Sequence, residues 1–130
     1  MIATIEKLRV IELRYYRIFK NPYPFGRVSI ELKKMNTKAG RAACLSNRYT
    51  GEVYNFKILI TNLYDFTDDE LRDIMLHEML HISLMNNSLF DNNGGHGYYF
   101  TSEMNEINKK YGFHLSVYCE LTLRDTVTKS

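Results

Sequence analysis

The chain has no tryptophan, and only two cysteines and two prolines among its 130 residues. Cys44 and Cys119 lie far apart and form no C-x-x-C pair, which argues against a disulfide framework or a thiolate zinc site. Two reduced thiols in a cytoplasmic protein are expected instead. No uncharged apolar run is long enough to span a bilayer, so no membrane partner is expected. No early stretch resembles a signal peptide, because Glu6, Lys7, Arg9, Glu12, Arg14, Arg17 and Lys20 interrupt the apolar residues there. Repeats, low-complexity tracts and linkers are also lacking, and residues 1–130 read as one domain.

What is present suits a single packed core: 45% of residues are hydrophobic and 13% aromatic. Charge is laid unevenly along the chain. Residues 1–60 hold twelve Lys and Arg against four Asp and Glu, a balance of +8, while residues 61–130 hold five against eleven, a balance of −6. A basic half is either a solvated face or a surface that reads phosphate.

Hydrophobic spacing organises the rest. Residues 2–19 place Ile5, Leu8, Ile11, Tyr15, Ile18 and Phe19 on one helical stripe, which "NPYPFG" then ends. "RVSIELKK", "RAACLSN" and "VYNFKILITN" alternate as strands do, with turn chemistry at "NRYTGE", and predict a small antiparallel sheet. "DFTDDELRDIMLHEMLHISLM" predicts a helix apolar around its whole circumference, hence central. Thr67 and Glu70 stand at capping-box spacing, and Asp68, Asp69 and Glu70 suit the positive end of the helix dipole. A last helix in "YYFTSEMNEINKKYG" carries Phe100, Met104, Ile107 and Tyr111 on one face and stops at Gly112. The expected class is therefore α+β, a compact domain.

The central helix contains the sequence "HEMLH" at 77–81. Polar groups in a buried helix must be satisfied, since an unpaired one costs on the order of 1–3 kcal/mol. Histidines four apart project from one face and reach one metal ion, while Glu78 lies beside them without ligating. A catalytic zinc needs a third protein ligand. The short metzincin spacing is excluded, because Leu84 and Asn87 occupy its glycine and histidine positions. His96, between Gly95 and Gly97, is favoured; Glu103 and Glu106 on the following helix are its rivals. Glu103 is otherwise a candidate acceptor behind a ligand histidine or a solvated residue. Tyr98 and Tyr99 are candidate oxyanion donors, with core packing as the alternative. His114, in "FHLSVYCE", reads as a structural residue of a further strand.

"HEMLH", "GGHGYYF" and "EINKKYG", preceded by "KAGRAACLSN" and "ILITNLYDFTDDELRDIML", together resemble the SprT-like (SprT/Spartan) metalloprotease family over roughly residues 5–115. The resemblance implies one zinc ion held by His77, His81 and His96, Glu78 as catalytic acid-base, and a protein substrate. It also implies a link to proteins crosslinked to DNA. The paired cysteines of the zinc ribbon that ends many bacterial members are lacking, so the protease core alone is expected. With the basic first half, the resemblance makes Lys33, Lys34, Lys38 and Arg41 a candidate DNA-binding edge. Two other readings stand beside this one: a narrow-specificity peptidase that involves no nucleic acid, and a non-catalytic nucleic-acid-binding module stabilised by zinc.

Overall fold

The structure, a computed structural model, describes residues 1–91 and 94–117. Its elements follow the order α1 (Ile5–Tyr15), β1 (Val28–Lys33), β2 (Gly40–Ser46), β3 (Val53–Thr61), α2 (Asp68–Asn86) and α3 (Tyr98–Tyr111). Three helices around one small sheet make an α+β domain, as the hydrophobic spacing implies. Cys119 lies outside the described residues.

The sheet is mixed, and not antiparallel throughout. Its order is β1-β3-β2, with β1 parallel and β2 antiparallel to β3. The reason lies in β3: Phe56, Ile58 and Ile60 are almost wholly buried, so this strand takes the centre and the other two flank it. Residues 34–39 must therefore cross the end of β3 to reach its other side. Buried Thr61 holds that crossing, its hydroxyl donating to the Met35 carbonyl at 2.7 Å while its N–H donates to the Ala39 carbonyl at 2.9 Å. Alternation reveals a strand but names neither its partner nor its direction.

On the core face, Ile30 and Ala42 both lie in register with Ile58, and α2 packs against β2 and β3. α2 also meets α1 and α3, so it is the axis of the domain. Its start is fixed by a reciprocal capping box: Glu70 N–H donates to the Thr67 hydroxyl at 3.1 Å, and Thr67 N–H donates to the Glu70 carboxylate at 2.9 Å. Met75, Leu76, Met79, Leu80 and Ile82 are fully buried along it.

α1 is shorter than its apolar stripe suggests, ending at Tyr15. Ile18 and Phe19 leave the helix, and Phe19 is buried beside Tyr23, their ring centroids 6.1 Å apart. α1 also buries a residue its charge would place outside. Glu12 accepts from the Arg9 guanidinium at 2.8 Å and from the Tyr23 hydroxyl, and Arg9 also donates to the Val28 carbonyl at 3.0 Å, tying the helix to β1. Burial, with Glu12 beside it, holds the Tyr23 hydroxyl in its protonated form. α3 ends at Gly112, whose left-handed φ of 70° stops the helix. Asn108 then binds both the N–H and the carbonyl of Leu115, at 2.8 and 2.9 Å, pinning residues 113–117 back against α3. The described part of that segment is not a strand, and His114 is exposed on it.

Candidate metal centre

His77 and His81 stand one helical turn apart on α2, and His96 reaches the same point from the loop before α3. Their Nε2 atoms converge: 3.2 Å separates His77 from His81, 3.0 Å His81 from His96, and 3.2 Å His96 from His77. Three imidazole nitrogens arranged tetrahedrally about a single zinc-sized ion would lie about 3.3 Å apart. The donor set therefore fits a metal ion held by three neutral histidines. Neither Glu103 nor Glu106 joins this group.

The proton positions support the same conclusion. His77 Nδ1 lies 2.6 Å from the Ser116 carbonyl oxygen. A carbonyl only accepts, so Nδ1 carries the proton and Nε2 presents a bare lone pair to the other two rings. Burial, outweighing the Ser116 hydrogen bond and helped by the His96 ring, lowers the pKa of His77 to about 4; burial together with the nearby His77 and His96 rings lowers that of His81 to about 3. At neutral pH both rings are uncharged, as metal ligation requires.

Phe100 forms the base of the cluster. It is fully buried, with its ring centroid 4.8, 4.4 and 5.0 Å from those of His77, His81 and His96. The loop carrying His96 can approach because Gly95, at φ +86°, packs its backbone on the His81 ring; an added Cβ would lie 3.1 Å from His81 Cε1. The preceding Asp91 completes the loop. Its two carboxylate oxygens accept from the N–H groups of Tyr99 and Phe100, at 3.1 and 2.8 Å. α3 has Gly97 at its N-cap and no cap from that position, so Asp91 supplies the missing acceptor from six residues upstream.

Glu78 is buried and lines the same cavity, of about 770 Å³, as the three histidines. Its carboxylate lies close against β2, where a Cβ on Gly40 would be 2.8 Å from Oε2. Gly40 thus leaves room for the acid.

Several sequence expectations come out differently. Glu103 is buried, but its carboxylate accepts from the Lys20 backbone N–H at 3.0 Å and from the Asn21 side chain. It braces α3 against the end of the α1 region instead of backing a ligand histidine, and burial raises its pKa. Tyr98 and Tyr99 are 74% and 44% exposed and do not line the cavity, so they are neither core residues nor placed as oxyanion donors. Lys38 and Arg41 line the cavity, whereas Lys33 and Lys34 do not. Asp91, Gly40 and the Ser116 carbonyl escape the sequence reading. Only Asp91 leaves a trace in it, as the nearest acid upstream of a helix whose first turn lacks its own cap.

No helix among the described residues is long and apolar enough to cross a membrane. A model of the SprT-like family matches residues 8–121. A search of curated proteins finds no match.

The histidine environment sets a pH dependence. A group whose pKa falls on folding from 6.5 to about 4 or about 3 favours the folded state above pH 6.5, and this contribution is lost as pH falls towards the folded values. Metal-free protein in excess chelator should show a level denaturant midpoint above pH 6.5 and a declining one from there to about pH 5, before most carboxylates titrate. A midpoint that stays level across this interval would mean that the imidazoles are not buried in neutral form.

Proposed function

The chain belongs to the SprT-like family, generally a metalloprotease-type domain, and on that premise we propose that it is a zinc-dependent endopeptidase of the H-E-x-x-H type, with residues 1–130 as one catalytic unit. The observation that carries this reading is the convergence of three imidazole nitrogens beside one buried carboxylate in an open cavity. His77, His81 and His96 would hold the ion, which when bound would supply Lewis acidity to the peptide carbonyl. A closed structural site would need a fourth protein ligand, and among the described residues the group contains three. That weighs against the reading as a non-catalytic zinc module.

Glu78 is the acid-base. Its carboxylate takes a proton from the attacking water as oxygen bonds to the carbonyl carbon of the peptide, and returns it to the leaving nitrogen as the C–N bond breaks. Gly40 keeps the carboxylate against β2. Among the described residues β2 pairs only with β3, so an extended substrate can add along its outer edge, where Gly40, Arg41 and Ala42 line the cavity. The two unpaired-spacing cysteines go with a cytoplasmic location. A narrower form of the proposal, cleavage of proteins held on or crosslinked to DNA, draws support from the +8 balance of residues 1–60 and from the exposed Lys33, Lys34, Lys38 and Arg41.

Purified protein should bind about one zinc per chain, and alanine at His77, His81 or His96 should each strip it, whereas Glu103→Ala and Glu106→Ala should retain it. Glu78→Gln should retain zinc and lose at least about a hundred-fold in proteolysis; zinc loss from Glu106→Ala with His96→Ala fully loaded would reassign the third ligand. For the DNA-directed form, duplex DNA should stimulate cleavage, and changing the four basic residues to alanine should flatten the salt slope of binding by roughly three to four units. Cleavage indifferent to both DNA and salt would favour a peptidase that acts without nucleic acid.

A further inference from the structure

The walls of the cleft differ in chemistry. On the β2 side Lys38 and Arg41 are exposed, and neither forms an ion pair with another described residue, whereas Arg9, Lys57 and Arg72 all do. The acids lining the same cavity form no ion pair with them. Both oxygens of Asp91 are engaged at the start of α3, and Glu78 is the buried acid beside the histidines. On the side of the α2 C-terminus the wall is apolar, formed by Leu84 and Met85 one turn beyond His81 and by Leu89 and Phe90 in the loop that follows. Phe90 is 58% exposed, and of the exposed large apolar side chains among the described residues it alone lines this cleft.

Resting on the peptidase reading, we infer that the cleft selects polypeptide segments carrying an acidic side chain close to a bulky apolar one around the scissile bond. Lys38 and Arg41 receive the carboxylate; Leu89 and Phe90 receive the apolar group. A nucleic-acid strand would use the cations but would leave the apolar wall exposed, and Lys33 and Lys34, which a continuous phosphate track would enlist, lie outside the cavity. A peptide satisfies both walls at once. Exposed charge pairs contribute modestly, about 0.2–1 kcal/mol each, so two cations bias the selection without making it absolute.

The test uses zinc-loaded full chain and a set of fluorogenic peptides that differ only in Asp or Lys at each position near the scissile bond, and in Leu or Ala at the neighbouring one. The wild type should favour Asp over Lys by about ten-fold in kcat/KM at one or more positions. Lys38→Glu/Arg41→Glu should invert that ratio, and Lys38→Ala/Arg41→Ala should flatten it. Phe90→Ala should reduce the preference for Leu over Ala several-fold while leaving the charge preference in place. A ratio equal in wild type and both double variants, or a wild-type preference for Lys, would overturn the inference. So would a flat ratio with duplex DNA acting as a competitive inhibitor, which would assign the two cations to phosphate. Failure of the zinc-loaded wild type to cut any peptide faster than Glu78→Gln would overturn the peptidase reading itself.

Discussion

Three imidazole nitrogens held within 3.2 Å of one another, two of them on rings at most 8% exposed, meet at one point on the wall of the cleft. The Ser116 carbonyl takes the only proton of neutral His77, so the Nε2 of that ring is an acceptor that a shared cation can fill. Much of the domain serves that convergence: the capping box fixes where α2 begins, the central strand gives α2 a surface to pack on, and Phe100 supports all three rings from below. The chain turns at Gly112 and is pinned by Asn108, which delivers the Ser116 carbonyl to the far nitrogen of His77.

The parts of this arrangement legible in the sequence are those encoded locally. A capping box occupies four residues, and the H-E-x-x-H pair one turn of helix, so both survive any tertiary context. The glycines around His96 also carry their meaning on their face, since Gly95 is where the backbone comes close to the His81 ring. What the sequence hides depends on partners distant along the chain. β1 reads correctly as a strand, yet nothing in its alternation shows that β3, more apolar, would take the centre and leave β1 parallel to it. Glu103 looks like a companion to the histidines because it follows His96 on a helix, but its carboxylate is engaged by a backbone N–H 83 residues away. Tyr98 and Tyr99 sit beside the site in sequence and outside it in space.

Asp91 shows how a helix terminus can serve a metal centre. α3 begins with a glycine because a side chain there would crowd Asp91, whose Cβ would lie 3.0 Å from one added at Gly97. The cap is therefore supplied across the loop, and the loop it closes carries His96. Helix stability and the position of His96 are thereby set by one carboxylate. Gly40 has the corresponding part for Glu78: a position without a side chain, on the strand that borders the cleft, keeps the buried acid in its place. The two cations flanking Gly40 then give the cleft a charged side, opposed in chemistry to the apolar residues beyond His81.

The central claim is that His77, His81 and His96 alone hold one metal ion and leave a coordination position open. X-ray absorption at the zinc edge of loaded protein, compared with His96→Ala, tests it most directly. The account predicts three imidazole scatterers at about 2.0 Å with one further light atom, and the loss of one imidazole in the variant. Four protein ligands, a sulfur shell, or an imidazole count unchanged by His96→Ala would contradict it.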